Sequence, residues 1–353
     1  MNCYVSTTEF NVSGRRITQK EVAERAGVAQ ATVSLVLNGG RDKVAPETAD
    51  RIEAVIAELG YQPNRFAQAL RTSRSHVIAC VVPDLTNPFY PSLVVAVQKV
   101  VRNAGYEVIT IDTEGELANE RQVVAAALQG RYDGVVGVFF NLSARDLAPL
   151  GKNGVPVVRI EVRRKSGGSL PIDDLFIDNQ AAARAVTAHL LGLGHRAIAM
   201  VAARGGPQSV RLQGYLDAMA ASGAEPIVLE ATHFTVEAGS EMADRIVASG
   251  RRVTAIIAAN DLMAIGVIKS LLRNGLSVPR DISVAGFDDI MASALVTPGL
   301  TTVAQFQDRL GARAAEKLLS RLISRETEPA QPEEMPFELV IRASVAPPPG
   351  VQN

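Results

Sequence analysis

Tryptophan is absent from this chain, and cysteine occurs only at positions 3 and 80. Two thiols so far apart give no disulfide framework and no thiolate metal site. Cys80 lies inside the apolar run HVIACVVP and reads as a buried small hydrophobe. Histidine is equally scarce. His76, His189, His195 and His233 are scattered without metal-ligand spacing, so neither a metal nor a cofactor is expected. No apolar run reaches the ~20 residues that span a membrane. The opening MNCYVSTTEFNVSGRR lacks the basic-then-apolar order of a secretory signal, so the cytoplasm is the expected location. No GxxxxGK followed by Ser or Thr is present, and no GxGxxG follows the first predicted strand. No nucleophile, base and orienting group can be assembled from motifs, and an enzyme is not expected. At ~150 residues per domain, 353 residues make two or three units with ample core. The net charge of −1 says nothing of a nucleic-acid partner.

What is present is concentrated near the start. Residues 18–21, TQKE, fit a capping box, in which the Thr18 hydroxyl accepts from the Glu21 amide while Glu21 reaches back. The spacing predicts a helix that buries Val22, Ala23 and Ala26 and closes at Gly27, a residue free to take positive φ. A second helix is predicted from Gln30 to Leu37, with Val33, Val36 and Leu37 inward. Its other face, Gln30, Ala31, Ser34, Leu35 and Asn38, is small and polar. Two short helices joined around a glycine make a helix-turn-helix. The slim second helix can enter the DNA major groove, where base edges carry a readable donor and acceptor pattern. An ordinary helical hairpin is the alternative at this spacing. A third helix is predicted from Pro46 to Leu59, burying Ile52, Val55, Ile56 and Leu59 and stopping at Gly60. Between residues 62 and 75 stand Arg65, Arg71 and Arg74 without any acid. On charge alone that stretch reads as a solvated linker.

Five segments, in order, change that reading: ITQKEVAERAGVAQATVSLVLNG, YQPNRFAQALRT, VVPDLTNPFY, NDLMAIGVI and DISVAGFDD. Together they resemble the lactose/galactose-repressor family of bacterial transcription regulators over roughly residues 16 to 345. The resemblance implies a homodimer on pseudo-palindromic, double-stranded operator DNA, with an affinity set by a small-molecule effector inside a two-lobed core. It implies that Gln30, Ala31, Thr32 and Leu35 read bases, and that Thr18, Asn38, Tyr61 and Asn64 contact phosphates, which position the protein without reading sequence. Residues 64–72 match the family's hinge helix. There Leu70 corresponds to a leucine wedged into a central base step from the minor groove, with Arg71 beside it. Such a wedge costs a few kcal/mol of unstacking, offset by contacts that the kinked duplex makes. The sequence departs from the family twice. Many members carry Arg where Leu35 stands; leucine offers only apolar contact, such as to a thymine methyl. Ala29 replaces a usual serine cap, a loss of ~1 kcal/mol.

The implied organisation is a disordered extension (1–15), the helix-turn-helix (16–62), a hinge (63–75), the core (76–345) and a disordered tail (346–353). From His76 onward, continuous apolar runs alternate with helical stretches, which argues for strands buried on both faces of parallel sheets. The fold class expected is therefore α/β. A periplasmic-binding-protein-like core of two doubly wound lobes would follow an all-α DNA-binding head. By resemblance, residues 76–173 plus 304–325 form one lobe and 174–302 plus 335–345 the other. In such sheets ligands bind at the carboxyl ends of strands. Predicted strand ends offer Asn87, Phe89, Tyr90, Glu161, Arg211, Phe234 and Asp261, which the resemblance makes effector-binding positions. It further gives Asp261 and Arg211 as the pair that holds vicinal hydroxyls. Taken singly, Asp261 reads as a helix N-cap, Arg211 as an exposed helix residue and the aromatics as core; strand ends facing one cleft group them. Charged groups plus stacking favour a sugar, although a purine or nucleoside could use the same aromatics and the same Asp. A solute-binding protein would share the core, but it needs an export signal and no seventy-residue head. No C-terminal heptad run suggests a tetramer.

Overall fold

The computed structural model describes residues 17–63, 74–161, 163–164, 172–324 and 332–350, and the chain divides into two units after Arg74. In the first unit, α1 (Gln19–Ala26) starts at the expected capping box. The Glu21 amide donates to the Thr18 hydroxyl at 3.3 Å, and the Thr18 amide donates to the Glu21 carboxylate at 2.7 Å. Gly27 ends the helix at φ 64, a left-handed conformation that costs a side-chain-bearing residue more than glycine. Helix α2 (Gln30–Leu37) follows with Ala29 in the cap position and no side-chain bond there. A short 3-10 turn (Arg41–Lys43) leads to α3 (Pro46–Leu59), which stops at Gly60 in the left-handed region. Val22, Ala23, Ala26, Val33, Val36, Ala49, Ile52, Val55 and Tyr61 make one small core. The three expected helices are thus present with their expected inward faces, except that Leu37, Ile56 and Leu59 are only partly covered.

The second unit alternates strand and helix. Its elements run β1 (Val77–Val82), α4 (Phe89–Asn103), β2 (Glu107–Asp112), α5 (Leu117–Leu128), β3 (Gly134–Gly137), α6 (Ala144–Lys152), β4 (Val157–Glu161) and β5 (Ile172–Phe176). Next come α7 (Asn179–Gly192), β6 (Ile198–Ala203), α8 (Gln208–Ala221), β7 (Ile227–Ala231), α9 (Val236–Ala248), β8 (Ala255–Ala258) and α10 (Asp261–Arg273). The chain ends with β9 (Ser283–Ala285), α11 (Met291–Leu295), β10 (Thr302–Ala304), α12 (Gln307–Ser324), β11 (Glu333–Glu334) and β12 (Glu338–Val340). One parallel sheet has the order β11-β5-β4-β3-β1-β2 and the other β7-β6-β8-β9, while β10 and β12 form an antiparallel pair. The inner strands are buried almost throughout, as parallel strands covered on both faces must be. Edge strands β2 and β7 instead alternate between exposed and covered positions.

The chain crosses between lobes more than once. Leu310, Ala314, Leu318 and Leu322 of α12 join Ile78, Leu93 and Val97 in the first lobe's core, whereas Val303 and Leu339 pack with Phe287 in the second's. Two boundaries differ from the expectation. Strand β5 pairs with β4 through Phe176, so the first lobe continues past residue 173. Glu333 and Glu334 pair with Leu175 and Phe176, adding to the same sheet a strand that two acidic residues did not announce.

The tail expected to be disordered from residue 346 is placed through Gly350. The Ala346 amide donates to Ser283 Oγ at 3.1 Å, and its carbonyl accepts from Ser283 Oγ at 3.0 Å. His195 lies between Thr254 Oγ1 (2.9 Å from Nδ1) and the Ala346 carbonyl (2.8 Å from Nε2). Burial pulls the His195 pKa down, so the neutral ring donates from Nε2. Pro348 is buried as well. Removing residues 346–353 leaves these buried donors without a partner, at about 1–3 kcal/mol, and should lower the melting temperature by several degrees. A shortened chain that melts with the full one, followed by circular dichroism, would show the contacts to be neutral.

Candidate functional site

The carboxyl ends of strands from both sheets surround one cleft of about 690 Å³, open mouth included. Asn87, Phe89, Tyr90, Glu161, Arg211 and Phe234, each picked from the sequence at a strand end, line it together. Phe89 and Tyr90 meet edge to face with ring centres 5.1 Å apart. Asn87 is buried at the head of α4 and its side chain accepts from the Phe89 amide at 3.1 Å. Glu161 closes β4 with Arg159 Nη1 2.8 Å away, and Arg159 grips Asp174 through two bonds of 2.8 Å. That network is buried, so Glu161 is set in place from behind.

Arg211 is not an exposed helix residue. It is 4% exposed, donating from Nε to Asn179 (2.8 Å), from Nη1 to the Ala259 carbonyl (2.5 Å) and from Nη2 to Asp288 (3.3 Å). Its guanidinium also lies 3.6 Å over the Phe287 ring. Burial pulls its pKa down, and Asp288 opposes that pull.

Asp261 departs from the expectation. It does not line the cleft; it sits wholly buried beneath the segment 287–290. Its amide donates to the Phe287 carbonyl (2.8 Å), and its carboxyl accepts from the Ile290 amide (2.9 Å) and from Thr302 Oγ1 (2.5 Å). Burial above all, then the nearby Asp288, raises its pKa well above the carboxylate range. The N-cap of α10 is the preceding Asn260, whose side chain accepts from the Met263 amide. Asp261 is therefore a peg that fixes the loop in which Asp288 stands.

Asp288 is the carboxylate at the cleft, and sequence reasoning missed it. It is held at φ 117, a conformation that a non-glycine residue adopts only under constraint. Gln305 donates to its carboxylate at 2.6 Å, and its own amide donates to the Val303 carbonyl at 2.9 Å. Asn179, Asn260, Gln305 and Phe140 are further lining residues not singled out in advance. The signal for Asp288 and Asn179 was available, since both follow strands within a few residues, as Glu161 does.

In the head, Gln30, Ala31 and Leu35 are exposed and Thr32 half-buried along α2, which carries no charged residue. Thr18 is exposed, with its hydroxyl donating to Glu21 at 2.8 Å. Asn38 is exposed and donates to the Ser34 carbonyl at 2.5 Å. Tyr61 instead belongs to the core of the head at 8% exposure, and burial raises its pKa. Asn64, Leu70 and Arg71 lie outside the described residues.

Burial pushes the Asp288 carboxyl up to about 6, although Arg211 and Gln305 pull it down. A folded-state pKa above the unfolded one means that the folded core keeps a proton which the unfolded chain has lost. This contribution favours folding at low pH and is lost as pH rises from about 4 through about 6. Urea unfolding should therefore show the core's stability, relative to Asp288→Asn, falling between about pH 4 and pH 7. A relative stability that rises instead would mean that Arg211 outweighs burial.

Comparison with known proteins agrees with this anatomy. A family model for bacterial regulatory proteins of the lacI family matches residues 18–64, and one for periplasmic binding protein-like domains matches residues 187–345. The transcriptional regulator DegA of Bacillus subtilis is 30% identical over 340 residues, covering 94% of this chain and 99% of the relative. The Lac repressor dimer bound to operator and the anti-inducer ONPF superposes with a TM-score of 0.83 at 27% identity, over 94% of this chain and all of that one. A complex of the transcriptional regulator CelR with cellobiose superposes at 0.67 with 30% identity, over 93% of this chain and all of that one. The family suggested by the motifs is borne out along nearly the full length. The chain belongs to the lacI family of bacterial transcription regulators, with a helix-turn-helix head for DNA and a two-lobed core for an effector.

Proposed function

We propose that this regulator is a repressor, that it binds a pseudo-palindromic operator as a homodimer, and that an uncharged sugar in the cleft sets its operator affinity. A twofold protein suits a two-half-site operator, and the uncharged face of α2, with Gln30, Ala31, Thr32 and Leu35 along it, suits base edges. The wedge role of Leu70 and the groove role of Arg71 belong to the same reading.

The observation that carries the ligand class is the Arg211–Asp288 pair in the second lobe, facing Asn87 and Glu161 of the first among four aromatic rings. A polyol can donate hydroxyls to Asp288 and Glu161, accept from Asn87 and Arg211, and present its C–H face to the rings. Charge argues against a phosphorylated ligand. Among the described residues, the lining holds Asp84, Glu161 and Asp288 against the single cation Arg211. A ligand that bonds to both lobes binds one arrangement of them better than another, which is the condition for shifting operator affinity. No turnover is part of this reading.

The test is a panel of neutral mono- and disaccharides, sugar phosphates and purine bases. Melting temperature and operator affinity would be measured with each compound. A neutral sugar should raise the melting temperature and change operator affinity. Arg211→Lys, which keeps a charge beside Asp288 but loses the planar fork, should bind that sugar roughly tenfold more weakly, on the scale of one charged hydrogen bond. Its ligand-free operator affinity should stay within about twofold, inside the roughly ±0.5 kcal/mol of a change that leaves the interface untouched. A response to purines alone would overturn the sugar assignment and leave the regulator intact.

A further inference from the structure

Helix α2 ends in a Schellman motif. Asn38 caps the helix and Gly39 takes φ 81. The Gly39 amide then donates to the Val36 carbonyl (3.3 Å) and the Gly40 amide to the Leu35 carbonyl (2.9 Å). In this motif the residue in Gly40's place commonly bears an apolar side chain that touches the one in Leu35's. Here the contact is inverted. Gly40 is buried, and a Cβ built on it would stand 2.5 Å from Leu35 Cδ1 and 2.9 Å from Cγ. The backbone of Gly40, at φ −91 and ψ 31, suits any residue; a Cβ there would also stand 3.1 Å from the Leu35 carbonyl oxygen, a milder crowding than that against the side chain. The main demand for glycine comes from Leu35, whose side chain lies on the bare Cα.

We infer that Gly40 is a positioning residue for DNA reading, which sets the posture of Leu35 and with it the base that Leu35 accepts. The inference rests on the operator-reading role of α2 proposed above. Leu35 is the exposed large apolar side chain among the described residues of the head, at 37%, and no charge on α2 competes with it. An apolar group of this kind recognises the C5-methyl of thymine in the major groove. Alanine at position 40 would have to move the leucine by about 0.9 Å to open the gap from 2.5 Å to the 3.4 Å of ordinary contact. That displacement carries the methyls away from the place where the wild-type chain puts them, while every side chain of α2 is kept.

The experiment is selection of duplexes from a random pool at fixed salt, with full-length wild type, Leu35→Ala, Gly40→Ala and the double variant, followed by operator affinities for all four. Wild type should enrich a T·A pair at one position of each half-site, favoured about fourfold, the scale of one buried methyl. Leu35→Ala should lose that preference there alone. Gly40→Ala should weaken or shift it although Leu35 is retained, and adding Gly40→Ala to Leu35→Ala should change nothing further. The inference is overturned if Gly40→Ala selects the wild-type pattern at full strength. It is equally overturned if Gly40→Ala costs as much affinity in the Leu35→Ala background as it does with Leu35 in place, which is how a general folding defect would show itself. Retention of the T·A preference by Leu35→Ala also overturns it and leaves the rest of the head's reading standing. Failure of wild type to enrich any duplex would sink the operator reading itself.

Discussion

The cleft depends on an ion pair kept out of water. Arg211 and Asp288 are each only 4% exposed, and withdrawing two charges from water costs several kcal/mol per ion, which the pair offsets only with the help of further hydrogen bonds. Much of the second lobe near the cleft supplies those partners. Asn179 and the Ala259 carbonyl accept from the guanidinium, the Phe287 ring lies beneath it, and Gln305 donates to the carboxylate. Asp261 acts one layer below, tying the loop of Asp288 to Thr302 and to the Ile290 amide. The pair is thus a fixed template with some hydrogen-bonding capacity to spare, which is what a small polar ligand needs in order to be held in one orientation.

The surrounding fold makes the template possible. Parallel strands bring their carboxyl ends to one edge, so residues far apart in sequence reach one cleft, from Asn87 after β1 to Asp288 after β9. The first lobe holds its contribution in the same manner, by buried charge: Arg159 between Glu161 and Asp174, and Asp173 against Arg321 of the returning helix α12. That second contact joins strand β5 to a helix residue 148 positions later, so the crossing of the chain is fastened by ions as well as by Leu310 and Leu318.

Legibility from sequence followed the range of the interactions. The head was readable almost whole, because a capping box, a glycine stop and an inward apolar stripe act within a few residues. The inner strands were readable because burial on both faces leaves continuous apolar runs. Lobe exchange was not readable from pattern and came from the family resemblance; the two boundary errors, at β5 and β11, arose where strands carry acids, as in IDDLF and EE. Of the cleft residues picked at strand ends, Asp261 alone lies elsewhere. The failure was one of choosing between carboxylates. Asp261 and Asp288 both follow strands, and which one faces the cleft is decided by Ile290 and Thr302, which approach Asp261 from 29 and 41 residues away. The tail misled because PPPG reads as disorder, while its anchors, His195 and Ser283, are remote in sequence.

In the proposed function Asp288 takes ligand hydroxyls as an ionised acceptor. Burial sets its pKa at about 6, so binding that favours the carboxylate must expel protons near that pH. Calorimetric titration of the sugar that most stabilises the protein, run at about pH 6 in buffers of different ionisation enthalpy, counts those protons directly. Release of up to roughly half a proton per ligand is expected, abolished in Asp288→Asn. Binding without proton exchange, or with uptake, would contradict it.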